Sequence, residues 1–312
     1  MTQDTHDRRK KWAGRTDGAP WMQRALIGAC RILPLWMPYS AMSLVALGYI
    51  IGCPRQRKAI YRYFRQRQGY SVMKSIWSVY KNHVLFGSVV LDRFMLFAGK
   101  RFRLDIDGYD IYMTLNDQPE GFVMFGSHTG NFEMAGYELV STRKKFYVLA
   151  YSGETETVTE NRRRLLSANN IFIIPTSADG MSHLFALNNA LAQGDIVSLA
   201  ADRTLGSSKF FRCNILGAEA KLPAGPFMLA AQRNAPAIAV FVNKTGYKKY
   251  KAEVVRIDTT ERVETSDKDV SGKKAVTSRE RAAAMAQTYA DRLTDAMRRH
   301  PLQWFNYFEF WN

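Results

Sequence analysis

The chain of 312 residues is 46% hydrophobic and 23% charged, a composition that excludes intrinsic disorder and a multi-span membrane protein and leaves room for one large core with an N-terminal attachment. A net charge of +16, from 44 Lys and Arg against 28 Asp and Glu, favours a polyanionic partner: nucleic acid, an anionic membrane face or an acidic carrier. Cys30, Cys53 and Cys213 have neither the number nor the spacing of a disulfide framework or a zinc site, and residues 1–20 read as a basic tail with no cleavable secretory signal.

Residues 32–53, "ILPLWMPYSAMSLVALGYIIGC", carry no charge and are long enough to cross a hydrocarbon core as a helix. Pro34 and Pro38 weaken the first half, so a kinked or re-entrant helix within one leaflet is the second reading and a buried core helix the third. From Gly18 to Leu91 there is no Asp or Glu, whereas Arg55, Arg57, Lys58, Arg62, Arg65, Arg67, Lys74 and Lys81 all fall there. Such a basic stretch beside an apolar one suits anionic lipid headgroups and keeps its own side cytoplasmic. The segment that follows, to Phe94, reads as amphipathic helix broken at Gly69; it lacks a nucleic-acid recognition module, so no nucleic-acid partner is expected. Residues 21–100 therefore form an anchoring and amphipathic unit ahead of a body over 101–312.

Past Phe102 short apolar runs alternate with helical ones. "GFVMFGS", "FYVLA", "IFIIPT", "DIVSLAAD" and "PAIAVFVNK" predict buried strands, with helices over "FEMAGYELV", "NRRRLLSA", "GMSHLFALNNALAQG" and "PFMLAAQRN" between them. The alternation predicts an α/β domain, a mixed β-sheet covered by helices, with an apolar N-terminal membrane-associated helix. "KLPAG" reads as a loop, Leu222, Phe227 and Met228 as core or as an acyl-chain wall, and residues 259–283 as a flexible surface connection.

Ligands of open α/β sheets collect beyond the carboxyl ends of strands, where "SHTGNFE" begins. Asn131 is a fair N-cap for the helix that follows. With His128 in the turn and Glu133 in the first helical turn, the carboxylate can fold back to orient the imidazole. That arrangement suits a general base for a hydroxyl or amine, with backbone N–H groups of the turn facing the oxyanion. The competing reading is a buried histidine satisfying its turn. His6, His83, His183 and His300 lie in unrelated contexts, so no metal site is expected.

"HTGNFE" resembles the H-x4-D/E signature of the lysophospholipid acyltransferase superfamily, in the Glu form of its lipid A lauroyl and myristoyl acyltransferase branch. The resemblance continues through "ENRRRLLSANNIFIIP", "LAQGDIVSLAADRTLG", "AKLPAGPFMLAAQRNAPAIAVFV" and "HPLQWFNYFEFW", over roughly residues 20–312. It implies transfer of a fatty acyl chain at the cytoplasmic face of a bacterial inner membrane, with an acyl thioester of acyl carrier protein or coenzyme A as donor. No cofactor and no covalent acyl-enzyme are implied, and a monomer is expected.

Carried onto this chain, His128 is the base and Glu133 its partner. Arg162, Arg163 and Arg164 follow the active-site helix and are candidates to hold a phosphate of the donor or acceptor, which guanidinium grips through paired hydrogen bonds. Asp202 and Arg203, at another strand end, are candidates to orient the acceptor or to brace the loop carrying His128. Asn131 completes the expected substrate-binding set. "HTGNFE" departs from the "HFLTLE" form of the lauroyl enzyme, and the aromatic ending departs from its basic tail. The acceptor therefore stays open among lipid A or a related glycolipid, an aminoacyl lipid and a polyene pigment precursor. A lipid or thioester hydrolase and a non-enzymatic basic membrane-binding protein are the alternatives.

Overall fold

The computed structural model describes residues 19–139, 141–150, 155–167, 169–176, 182–204, 208–258 and 276–311. Most of the basic tail over 1–20 and most of the surface connection expected over 259–283 lie outside these residues.

Helices lead the chain: α1 (Pro20–Ile32), α2 (Trp36–Gly52), α3 (Pro54–Arg62) and α4 (Val72–Phe97). The uncharged run from residue 32 to 53 is not one helix. It breaks at Leu33, whose backbone is extended, as the residue before a proline prefers. What remains, the 17 residues of α2, rises about 25 Å, less than the roughly 30 Å of a bilayer core. Among the described residues no single helix is long and apolar enough to cross a membrane; α2 and Pro54–Arg67 would pass only as a pair bent by 98°. Nor is α2 a buried core helix, because Ala46 alone of its residues is buried while Leu44, Leu47 and Ile51 are exposed.

The break at Gly69 falls where expected. A π-helical turn over Tyr63–Arg67 closes α3, Gly69 takes a left-handed φ of 67°, and Ser71 caps α4 by accepting from the Lys74 amide.

The body alternates β1 (Arg103–Asp107), α5 (Tyr109–Asp117), β2 (Phe122–Gly126), α6 (Ala135–Glu138), β3 (Phe146–Ala150), α7 (Glu156–Ser167), β4 (Ile171–Pro175), α8 (Ser182–Ala192) and β5 (Ile196–Ala200). There follow β6 (Phe210–Ile215), β7 (Ala218–Pro223), α9 (Ala224–Gln232), β8 (Ala237–Gly246), β9 (Lys249–Arg256) and α10 (Ser278–Arg299). Seven strands form one sheet in the order β1-β9-β8-β2-β5-β3-β4, parallel at every junction except the β8–β9 hairpin. This is the mixed, helix-covered sheet the alternation predicts. "KLP" is not loop but the end of β7, which pairs with β6 in a separate antiparallel hairpin. Its two-residue turn, Leu216 and Gly217, has both φ positive, as the right-handed twist of a tight hairpin requires.

The central strand β2 is buried on both faces. Val123 and Phe125 pack with Phe227 of α9 and Tyr289 and Leu293 of α10, while Phe122 and Met124 pack with Phe94 and Met95 of α4 and Tyr112 of α5. Leu222 and Phe227 are thus core residues. The N-terminal helices share these cores: Ile60, Tyr63, Phe64 and Val79 join the first, and Ile27, Cys30 and Leu91 the second. At the C-terminus Trp304, Phe305 and Phe310 are buried against the body, as packing residues rather than a lipid-facing tail.

Candidate active site

In the parallel pairing of β2 with β5, Gly126 lies opposite Ala200, and the Ala201 amide donates to the Gly126 carbonyl at 3.0 Å. Two residues further along each strand stand His128 and Asp202. The register thus delivers a carboxylate to the imidazole from 74 positions away in sequence. Asp202 accepts twice, at 2.7 Å from the ring Nδ1 of His128 through Oδ1 and at 2.7 Å from its backbone N–H through Oδ2. The carboxylate is fully buried, and the imidazole is 23% exposed.

Burial alone raises the Asp202 carboxyl, but His128, Arg203 and the accepted hydrogen bonds outweigh it and hold the pKa below the ordinary value. An ionised carboxylate only accepts hydrogen bonds, so Nδ1 carries the proton and the lone pair of the neutral ring sits on Nε2. Phe132, 43% exposed, stands edge-on to the imidazole with ring centroids 5.9 Å apart and lends the site an apolar side.

Four backbone contacts fix the loop that carries His128. The Phe305 amide donates to the His128 carbonyl at 3.0 Å, the Gly130 amide to the Gln303 carbonyl at 2.7 Å and the Asn131 amide to the Val242 carbonyl at 2.7 Å. Tyr289 donates to the Gly126 carbonyl at 2.9 Å. Gly130 is required: its φ is 57°, and a Cβ there would overlap the Val242 carbonyl. Because the amides of His128, Gly130 and Asn131 are all spent inside the protein, they are not the oxyanion donors expected of this turn.

Glu133 does not orient the imidazole. It is buried and paired with Arg93 of α4 at 2.6 Å and with Arg162 of α7 at 2.9 Å, and the Tyr137 hydroxyl donates to it at 3.5 Å. Burial raises its carboxyl, but the two guanidiniums prevail and lower the pKa to about 2. The local spacing that suggests a His128–Glu133 contact loses to these two ion pairs and to Asp202.

The other candidates separate. Arg162 is at the site through Glu133, whereas Arg163 and Arg164 are exposed on α7, with Arg164 donating to Asn161 at 3.3 Å. Arg203 braces the C-terminal segment, donating to Asn306 Oδ1 at 2.6 Å and to the Phe305 carbonyl at 2.8 Å, so Asp202 and Arg203 clamp the His128 loop from two sides. Asn131 makes no side-chain cap; buried, it donates to the Tyr250 hydroxyl at 3.4 Å, an inward direction for a residue expected to hold substrate.

That phenol belongs to a network sequence reasoning missed. Asp92 of α4 is fully buried and bonded to Lys244, Tyr39 and Tyr250, tying α2, α4, β8 and β9 to the loop through Asn131. Its signal was present: "LDRF" sets Asp92 and Arg93 inside an otherwise apolar helical stretch and ends the long run without acids. Among the described residues no three His, Cys, Asp or Glu side chains gather as a metal site.

The profile of the bacterial lipid A biosynthesis acyltransferase family matches residues 98–311, more than half the chain, including β2, β5 and the His128 loop but not α4 with its Asp92 and Arg93. The chain belongs to that family. It is accordingly a lipid acyltransferase. No curated protein sequence matches the chain. Among solved structures it is similar to the 1-acyl-sn-glycerophosphate (LPA) acyltransferase PlsC from Thermotoga maritima, at 11% identity over 88% of this chain and 98% of that one. The TM-score is 0.31, too loose a likeness to inform the site. In this acyltransferase a buried carboxylate and a partly exposed imidazole stand hydrogen-bonded beyond the ends of β5 and β2.

Proposed function

We propose that this acyltransferase moves a fatty acyl chain from an acyl thioester, carried by acyl carrier protein, to a hydroxyl or amine of an envelope lipid or lipid-like acceptor, with His128 as general base. The observation that carries the reading is the 2.7 Å contact between His128 Nδ1 and Asp202, which leaves Nε2 as the basic nitrogen.

In the proposed step the acceptor O–H or N–H gives its proton to Nε2 as the acceptor atom attacks the thioester carbonyl. The new C–O or C–N bond forms, the C–S bond breaks, and the imidazolium returns the proton to the leaving thiolate. Asp202 stabilises that imidazolium and holds the tautomer, a contribution of about 10²- to 10⁴-fold in rate for general acid–base catalysis. Glu133 acts one step back, holding Arg93 and Arg162 beside the loop. No cofactor enters the step.

A membrane setting, the cytoplasmic face of a bacterial inner membrane, is supported by the exposed apolar side chains of α2 and by the net charge of +16. The acceptor is a lipid A-type glycolipid, an aminoacyl lipid or a polyene pigment precursor. Acyl transfer from a panel of acyl-carrier-protein thioesters into total membrane lipid, read by mass spectrometry for wild type and His128→Ala, tests the reading. A new acylated lipid made by wild type alone supports it; free fatty acid without an acylated lipid favours hydrolysis and contradicts it.

A further inference from the structure

The N-terminal half of α4 presents two surfaces side by side. Met73, Ile76 and Trp77 are 76%, 54% and 56% exposed and lie on one helical face, spaced in turns of three and four along with Tyr80. The same face continues to Gly87, where Met42 of α2 packs so closely that a Cβ would overlap it. Tyr39 of α2 meets Asp92 and Met42 meets Gly87, so α2 runs antiparallel to α4. Its later turns carry the exposed Leu44, Leu47 and Ile51, and Met73, Ile76 and Trp77 form the exposed apolar surface of α4.

A groove of about 340 Å³ borders this surface, walled by Tyr70, Lys74, Trp77 and Lys81 on one side and by the end of α10 with Arg299 on the other. Lys74 and Lys81 are two helical turns apart, so both ammonium groups fall on the groove side of the apolar face. Each lies over an aromatic ring, Lys74 Nζ 3.7 Å from the Tyr70 centroid and Lys81 Nζ 5.4 Å from that of Trp77. Among the described residues no acidic side chain lines the groove, and Arg299 is already paired with Glu253. Apolar side chains bordered by lysines with an aromatic at the boundary match the cross-section of a lipid interface, where cations reach the phosphate level while rings sit at the headgroups.

We propose that this groove binds the headgroup phosphate of an anionic phospholipid, with Lys74 and Lys81 as its ligands and Met73, Ile76 and Trp77 inserted beside it. The inference rests on the membrane setting proposed above and adds the site that fixes how the enzyme sits on the bilayer.

Binding to phosphatidylcholine vesicles with and without phosphatidylglycerol tests it, using the full chain. Wild type is compared with Lys74→Gln/Lys81→Gln and with Arg143→Gln/Lys145→Gln, an exposed basic pair before β3 that removes the same formal charge. Each near-surface lysine contributes about fivefold to anionic-membrane partitioning, so the groove variant is expected to bind phosphatidylglycerol vesicles about 25-fold more weakly. Its binding to neutral vesicles and its melting temperature are expected to stay at wild-type values, and the control pair is expected to bind like wild type. Equal binding by groove variant and wild type, or an equal loss in the control pair, overturns the headgroup site alone. Wild type that binds no vesicle overturns the membrane setting as well. If the groove variant keeps its vesicle binding but loses acyl carrier protein, the groove belongs to an acidic protein partner and the proposal is wrong.

Discussion

Asp202 holds His128 at two points, the ring Nδ1 and the backbone amide, each at 2.7 Å, so one carboxylate fixes both the tautomer and the position of the imidazole. The first consequence is spectroscopic. In ¹⁵N NMR of labelled protein at neutral pH, neutral His128 is expected as the Nδ1–H tautomer, with Nε2 as the unprotonated nitrogen. Asp202→Asn is expected to disturb that preference, and Glu133→Gln to leave it in place, because the Glu133 carboxylate is engaged by Arg93 and Arg162.

Glu133 instead governs stability and its dependence on pH. Its pKa falls from 4.5 to about 2 on folding, so its contribution is fully present above about pH 5 and is lost as the pH falls toward 2. Glu133→Gln is expected to lower unfolding free energy by about 3 kcal/mol at neutral pH. The gap from wild type, read by urea denaturation at successive pH values, is expected to close between pH 4.5 and 2.

Gly130→Ala places a methyl group on the Val242 carbonyl at a positive φ. A loss of about 2 kcal/mol or more is expected, with a lower melting temperature and slower transfer, since the strain falls on the loop that carries His128.

Asp92→Ala leaves the Lys244 ammonium and two phenols without their common acceptor in a buried setting. Removing one partner of a buried pair costs about 3–5 kcal/mol, and the expected result is a marked drop in the denaturation midpoint. Asp92→Asn, which keeps an acceptor oxygen for the phenols, is expected to lose less.

Much of the body was legible because its strands read as continuous apolar runs: "FVMF", "FYVLA", "IFII", "IVSLA" and "AIAVFV" all fall in strands. β1, β7 and β9 escaped notice because charged residues recur within them, as in "RLDID" and "KYKAEVVR", and β6 because Arg212 and Asn214 interrupt its apolar residues. Gly69 announced the break before α4 through its own chemistry. The end of α1 at Ile32 was hidden inside an uncharged run whose length invited one long helix.

At the site, His128 and Asp202 were both visible as polar residues at strand ends. Their contact was not, because it depends on β2 and β5 being neighbours in register, and pairing partners are not written in either strand. The five-residue spacing to Glu133 was the signal nearest to hand, but it pointed to the wrong carboxylate. Arg93 and Arg162, 69 positions apart in the chain, meet Glu133 only once α4 and α7 have packed.

The most direct test of the central claim is the acyl-transfer rate of Asp202→Asn beside wild type, with saturating thioester donor and lipid acceptor, in protein whose melting temperature shows it folded. The account predicts a fall in kcat of at least about 100-fold, the range of general-base catalysis, with little change in KM. Transfer by Asp202→Asn within a few-fold of wild type would contradict it and return the orienting role to another group.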